Sequence, residues 1–208
     1  MKNYRSILQH GEATYEDRKS IFIGYAFPVS TEDEAQAYIK EVKAKHPTAR
    51  HHVYAYVLRE NNIARFSDDK EPQGTAGMPT LDVIRKNNLV DCLVVVVRYF
   101  GGTLLGTGGL VKAYGSASRD AVIASEIIEY APYTFSRFVV SYQDYQKILP
   151  LLNTPEIRTE SSQFLVQVEL TVSYKEDLHD SFTKQLIDIT SGRTEVHYIK
   201  TEFDYRKI

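Results

Sequence analysis

Apolar positions along this chain repeat with two different periods. Over Ser20–Pro28, Ile21, Ile23, Tyr25 and Phe27 fall on one face by a period of two, which predicts a strand within an extended stretch at 4–29. From Thr31 the period lengthens. Glu34 stands three positions after Thr31 as in a capping box, and Ala35, Tyr38, Ile39 and Val42 share one side of a helix over 31–45. His46-Pro47 ends that helix, because the residue before a proline leaves the helical region. A strand follows at 53–58, and Asn61-Asn62 suits a hairpin turn into Ile63–Phe66. Turn chemistry fills 67–79, followed by a helix at 80–87, a strand at 91–99 and a long helix from about 108 to 126.

Ala131-Pro132 is the best break, dividing a domain at 1–131 from one at 132–208. Beyond it the pattern reads strand 133–141, helix 142–152, strands 154–161 and 164–173, helix 176–190 closed by Gly192, and strand 194–203. This βαββαβ order is the ferredoxin-like arrangement, with two helices on one face of an antiparallel sheet. The fold class expected is therefore α+β, in two domains.

Composition narrows the function classes. At 43% hydrophobic and 25% charged residues, the chain has the make-up of a soluble globular protein. No apolar run approaches the roughly 18 residues of a membrane span, and Met1–Ser6 lacks the apolar core of a secretion signal. The one cysteine, Cys92, is expected buried and reduced, so a cytoplasmic location is expected and no membrane partner. A net charge of −2 argues neither for nor against nucleic acid. Locally, Val42–Leu58 holds Lys43, Lys45, Arg50, His46, His51 and His52 and no carboxylate. That run suits phosphates or an acidic partner, and it equally suits a helix C-terminus.

The segment Val94–Lys112 carries the strongest candidate chemistry: a buried strand empties through a glycine-rich loop into a helix N-terminus. Such a junction aims backbone N–H groups at an anion. It matches neither the Walker loop nor the dinucleotide Gly-x-Gly-x-x-Gly pattern. The candidate anion- or RNA-binding residues are Arg50, His51, Arg98, Tyr99, Gly101, Gly102, Gly106, Gly108, Gly109 and Lys112. Glycines here also suit close helix–strand packing. Of the adjacent aromatics Tyr99 and Phe100, one is expected on display, where it would stack on a base or peptide.

A second candidate is the loop containing Asp68, Asp69, Glu71, Gly74, Thr75 and Gly77. Its three carboxylates suit Mg²⁺ or acid–base work, while Asp, Gly and Pro also serve turns for backbone reasons. With no second carboxylate cluster in reach, neither a metal nor a cofactor is expected. His51 and His52 point to opposite faces of a strand and cannot share one metal. No catalytic residue is assigned.

Arg50–Tyr56, Asp68–Pro79 and Val94–Tyr114 together closely resemble the YigZ/IMPACT family over roughly residues 15–126, and 132–208 resemble the C-terminal domain of its bacterial YigZ branch. The resemblance implies an N-terminal α/β sandwich like the second domain of ribosomal protein S-five. It also implies a C-terminal domain like the fifth of elongation factor G. Family members are regarded as translation regulators or as proteins of unknown function, and eukaryotic relatives bind the ribosome-associated activator of a stress-responsive kinase. No established catalytic residue comes with the resemblance. The chain departs from the family's usual Asp-Asp-Gly-Glu-Pro in carrying Lys70. The leading expectation is a non-enzymatic translation regulator that binds RNA or the ribosome. The alternatives are a metal-dependent hydrolase or transferase acting on a small phosphorylated or peptidyl substrate, and a purely protein-binding module; the oligomeric state stays open.

Overall fold

The structure is a computed structural model describing residues 3–208. Its contacts gather into two compact units, one of residues 4–129 with 206–208 and one centred on 130–205. In the first unit, strands β2 (Gly11–Asp17), β3 (Ser20–Pro28), β4 (His51–Leu58), β5 (Ile63–Ser67) and β6 (Cys92–Tyr99) form one sheet in the order β2-β3-β6-β4-β5. Every neighbouring pair is antiparallel. Strand β1 (Tyr4–Ile7) lies outside this sheet, and its Arg5 carbonyl accepts the Val90 N–H at 2.9 Å.

The central strand β6 shows why a near-continuous apolar run was needed. Leu93, Val95 and Val97 pack with Tyr25, Phe27 and helix α1 (Glu32–Lys45), while Val94 and Val96 pack with Phe22, Ala26 and helices α2 (Gly77–Lys86) and α3 (Gly106–Ala124). A strand covered by helices on both faces buries both of its side-chain sets. Helix α1 begins as expected: Thr31 Oγ1 accepts the Glu34 N–H at 3.2 Å, and the Glu34 carboxylate accepts the Ser30 N–H at 2.6 Å.

The second unit has strands β7 (Ile127–Val140), β8 (Arg158–Phe164), β9 (Val168–Lys175) and β10 (His197–Lys207), with helices α4 (Tyr142–Leu152) and α5 (His179–Thr190). Strand β9 lies between β7 and β8, and β10 pairs with β7. That is the strand order of the expected ferredoxin-like βαββαβ unit. Its core joins Phe138, Val140, Leu170 and Val172 of the sheet to Ile148 and Leu152 of α4 and Phe182 and Leu186 of α5. Across the whole chain, no helix among the described residues is long and apolar enough to cross a membrane.

Three of the departures from the expected element boundaries have a clear cause or consequence. Strand β7 begins at Ile127 and runs through Ala131-Pro132 without a break. Helix α2 starts at Gly77 rather than 80, because the Asp68 carboxylate caps it from a distance, accepting the N–H groups of Ala76 at 3.1 Å and Gly77 at 2.8 Å. The β8–β9 turn falls at Leu165-Val166-Gln167 rather than at polar Ser162-Gln163. Leu165 and Val166 are 70% and 95% exposed there, so their apolar character misplaces the turn.

Candidate functional site

The ends of β3, β4 and β6 come together where β6 leaves the sheet. His51 pairs across from Arg98, and Ile21 across from Tyr99. The tight turn between β2 and β3, with Arg18 and Lys19 at positive φ, therefore sits beside the start of the glycine loop. Gly101 lies so close to that turn that a Cβ would stand 2.0 Å from the Lys19 carbonyl carbon, and its N–H donates to Ser20 Oγ at 3.1 Å. Only glycine fits such an approach. Gly102 and Gly106 have φ of +85° and +70°, so the loop turns through conformations that disfavour other residues.

Beneath the loop lies a buried polar cluster. Arg98 is only 6% exposed, and its guanidinium donates to Glu71 Oε1 at 2.6 Å. Tyr114, reaching in from α3, donates its hydroxyl to the same oxygen at 2.7 Å. Burial, and then the Glu71 charge, push the Tyr114 hydroxyl pKa far above its ordinary value. The guanidinium lies over the rings of Phe22 and Phe100, 5.5 and 5.6 Å from their centroids. His51 donates Nδ1–H to the Asp69 carbonyl at 2.9 Å, leaving Nε2 3.9 Å from Glu71.

The acidic loop is thus tied down along its length. The two Asp68 oxygens accept N–H groups from Gly74, Ala76 and Gly77, and Asp69 accepts the His52 N–H at 2.6 Å. Thr75 Oγ1 donates to the Pro72 carbonyl at 2.7 Å. Asp69 and Lys70 both turn through positive φ, +40° and +73°, so this turn places a lysine in the left-handed region that favours glycine. Among the described residues, no three His, Cys, Asp or Glu side chains are grouped to hold a metal ion.

The sequence reading put Arg98 and Lys112 on one anion-facing surface, and the structure separates them. Arg98 is internal and neutralises a carboxylate of its own chain, because β6 carries it beneath the loop. Lys112 is exposed in the second turn of α3 and faces the groove beside α2. Tyr99 is half-buried with its hydroxyl 2.8 Å from His46 Nδ1, whereas Phe100 is 51% exposed. His46 in turn lies 2.8 Å from the Tyr25 hydroxyl, and burial, then Lys45 and His52, hold its pKa below the ordinary value. Arg50, Gly102, Gly106 and Gly108 are exposed, and Gly109 is half-buried against Leu105. No side chain caps the N-terminus of α3.

Sequence reasoning missed Glu71 as the partner of Arg98, and Tyr114 as a third member. It also missed Arg18 and Lys19, which only the strand pairing brings beside Gly101. Arg18, Lys19, Arg50 and Lys70 are all exposed at this end of the sheet, and among the described residues none forms an ion pair.

Residues 18–122 match the Impact N-terminal domain, and residues 138–193 match a domain of unknown function, DUF1949. The chain belongs to the IMPACT family. It is 33% identical over 197 residues to IMPACT family member YvyE of Bacillus subtilis, covering 94% of this chain and 91% of that protein. IMPACT family member YigZ of Escherichia coli is 34% identical over 184 residues, covering 87% and 90% of the two chains. Protein IMPACT of Xenopus laevis shares 34% identity over 101 residues, which is 47% of this chain and 32% of that one. A crystal structure of a hypothetical protein has the same fold, with a TM-score of 0.59 and 32% identity over 96% of this chain and 98% of that one.

Proposed function

We propose that this IMPACT-family protein is a cytoplasmic translation regulator that binds RNA or the ribosome at the glycine-loop end of its N-terminal sheet. Membership of a family that includes the eukaryotic IMPACT proteins fits a role in translation control. The observation that carries the binding surface is that exposed Arg18, Lys19, Arg50 and Lys70 come to the same end of the sheet, where β6 runs into exposed Phe100 and the glycine loop that leads to the uncapped N-terminus of α3. Glu71 is paired with Arg98 and Tyr114, and the four cations form no ion pair among the described residues, so they can meet phosphates. Phe100, backed by Arg98, offers a ring on which a base can stack. Arg98 itself serves as a support for that ring.

Filter binding of a single-stranded RNA across a salt series tests this reading. Each phosphate contact on a single strand contributes about 0.7 to the slope of log affinity against log salt, so Lys19→Ala with Arg50→Ala reduces it by about 1.4. Lys184→Ala, at an exposed position of α5, leaves it unchanged. Identical retention and slope for the double variant and the native protein would remove the surface from consideration.

A further inference from the structure

A second surface on the same unit points to a different class of partner. Helices α2 and α3 leave between them a groove of about 470 Å³. One wall is the row Met78, Asp82 and Lys86, the other the row Val111, Gly115 and Arg119, each spaced four residues apart along its helix. Gly115 breaks the second row. A glycine inside a helix costs stability, and a close neighbour usually accounts for it. At Gly11, Gly24, Gly77 and Gly101 a Cβ would run into backbone or ring atoms at 2.0–2.8 Å, whereas at Gly115 a Cβ would meet nothing within 4 Å. Packing within this unit gives no reason for that gap.

We propose that the α2–α3 groove receives a short acidic helix of a partner protein, with one apolar side chain seated in the gap at Gly115. Charge favours that occupant: Lys86, Lys112 and Arg119 line the groove against the single carboxylate of Asp82. Arg119 pairs with its neighbour Asp120, while Lys86 and Lys112 form no ion pair among the described residues. Met78 and Val111, 37% and 42% exposed, supply apolar contact. No aromatic ring lines the groove, so it lacks what stacks RNA bases. A second copy of the chain would set cations against cations. Each wall spans eight residue steps of helix, about 12 Å, which matches two turns of a docked helix. This inference is independent of the RNA-binding reading, whose residues lie at the end of the sheet.

The test uses fluorescence anisotropy of the full chain with a labelled 14-residue helical peptide bearing a central leucine and glutamates on both flanks. The controls are the same peptide with lysines for glutamates, and a 14-residue oligouridine competitor. The glutamate peptide is expected to bind at least tenfold more tightly than the lysine peptide. Gly115→Gln fills the gap and weakens binding at least tenfold, with a melting temperature no lower than native. Lys86→Glu with Lys112→Glu reverses the preference between peptides. Equal binding of the two peptides, or unchanged binding to Gly115→Gln, overturns the proposal. Displacement of the peptide by oligouridine overturns it too, by giving the groove to RNA.

Discussion

Removing the Glu71 carboxylate probes the buried cluster directly. The Glu71 and Arg98 side chains are 4% and 7% exposed, and Glu71 Oε1 accepts from both Arg98 and Tyr114. In Glu71→Ala the guanidinium stays buried without a counter-charge, a loss of about 3–5 kcal/mol. The stranded Tyr114 hydroxyl adds about 1–3 kcal/mol if nothing replaces its acceptor. The two losses share one oxygen and do not simply add, so about 4 kcal/mol is the expected total. Arg98 Nε already lacks a hydrogen-bond partner among the described residues, so the guanidinium has little to fall back on. With a urea dependence of about 2 kcal/mol per molar, the unfolding midpoint of the N-terminal unit drops by about 2 M. Circular dichroism in urea measures this. Glu71→Leu combined with Arg98→Met should recover more than half of the loss, because an apolar pair of similar volume replaces a buried ion pair at little cost. A Glu71→Ala variant within about 1 kcal/mol of native would refute a buried, mutually dependent pair.

Gly101→Ala forces a Cβ onto the Lys19 carbonyl carbon and lowers stability by about 3 kcal/mol; a thermal melt matching native would show that the loop does not press on the β2–β3 turn. Lys70→Gly relieves a left-handed backbone and raises stability by about 1 kcal/mol in urea, and a loss would show that the lysine side chain holds the turn in some other way. Because the fold lowers the His46 pKa below 6.5, its stabilising share is complete above pH 6.5 and is lost as pH falls through the folded value. The melting temperature of the N-terminal unit therefore falls between pH 7 and pH 5, and His46→Gln flattens that dependence; an equally steep fall in the variant would assign it to other groups.

What the chain's pattern discloses depends on how local the cause is. Strand β6 and helix α1 were legible because their causes lie within a few residues: a run of valines buried on both faces, and Thr31 with Glu34 at a helix start. The βαββαβ order was legible for the same reason. The start of α2 was hidden because its cap, Asp68, stands nine residues before Gly77. The β8–β9 turn was hidden because Leu165 and Val166 are apolar yet exposed. At the site, the glycine loop could be recognised, but the role of Arg98 could not. Its charge pointed outward to an anion, whereas its partner was Glu71, 27 residues away, in a loop that turn chemistry alone explained. Arg18 and Lys19 carried no local signal, since only the pairing of β3 with β6 brings them to Gly101.

Co-sedimentation with purified ribosomal subunits through a sucrose cushion, at low and at physiological salt, bears most directly on the proposed role. Native protein should pellet with subunits at low salt, with less pelleting as salt rises, while Lys19→Ala with Arg50→Ala stays in the supernatant and Lys184→Ala behaves as native. Native protein left in the supernatant at every salt concentration, or a double variant that pellets as well as native, would contradict a ribosome- or RNA-binding surface at the end of this sheet.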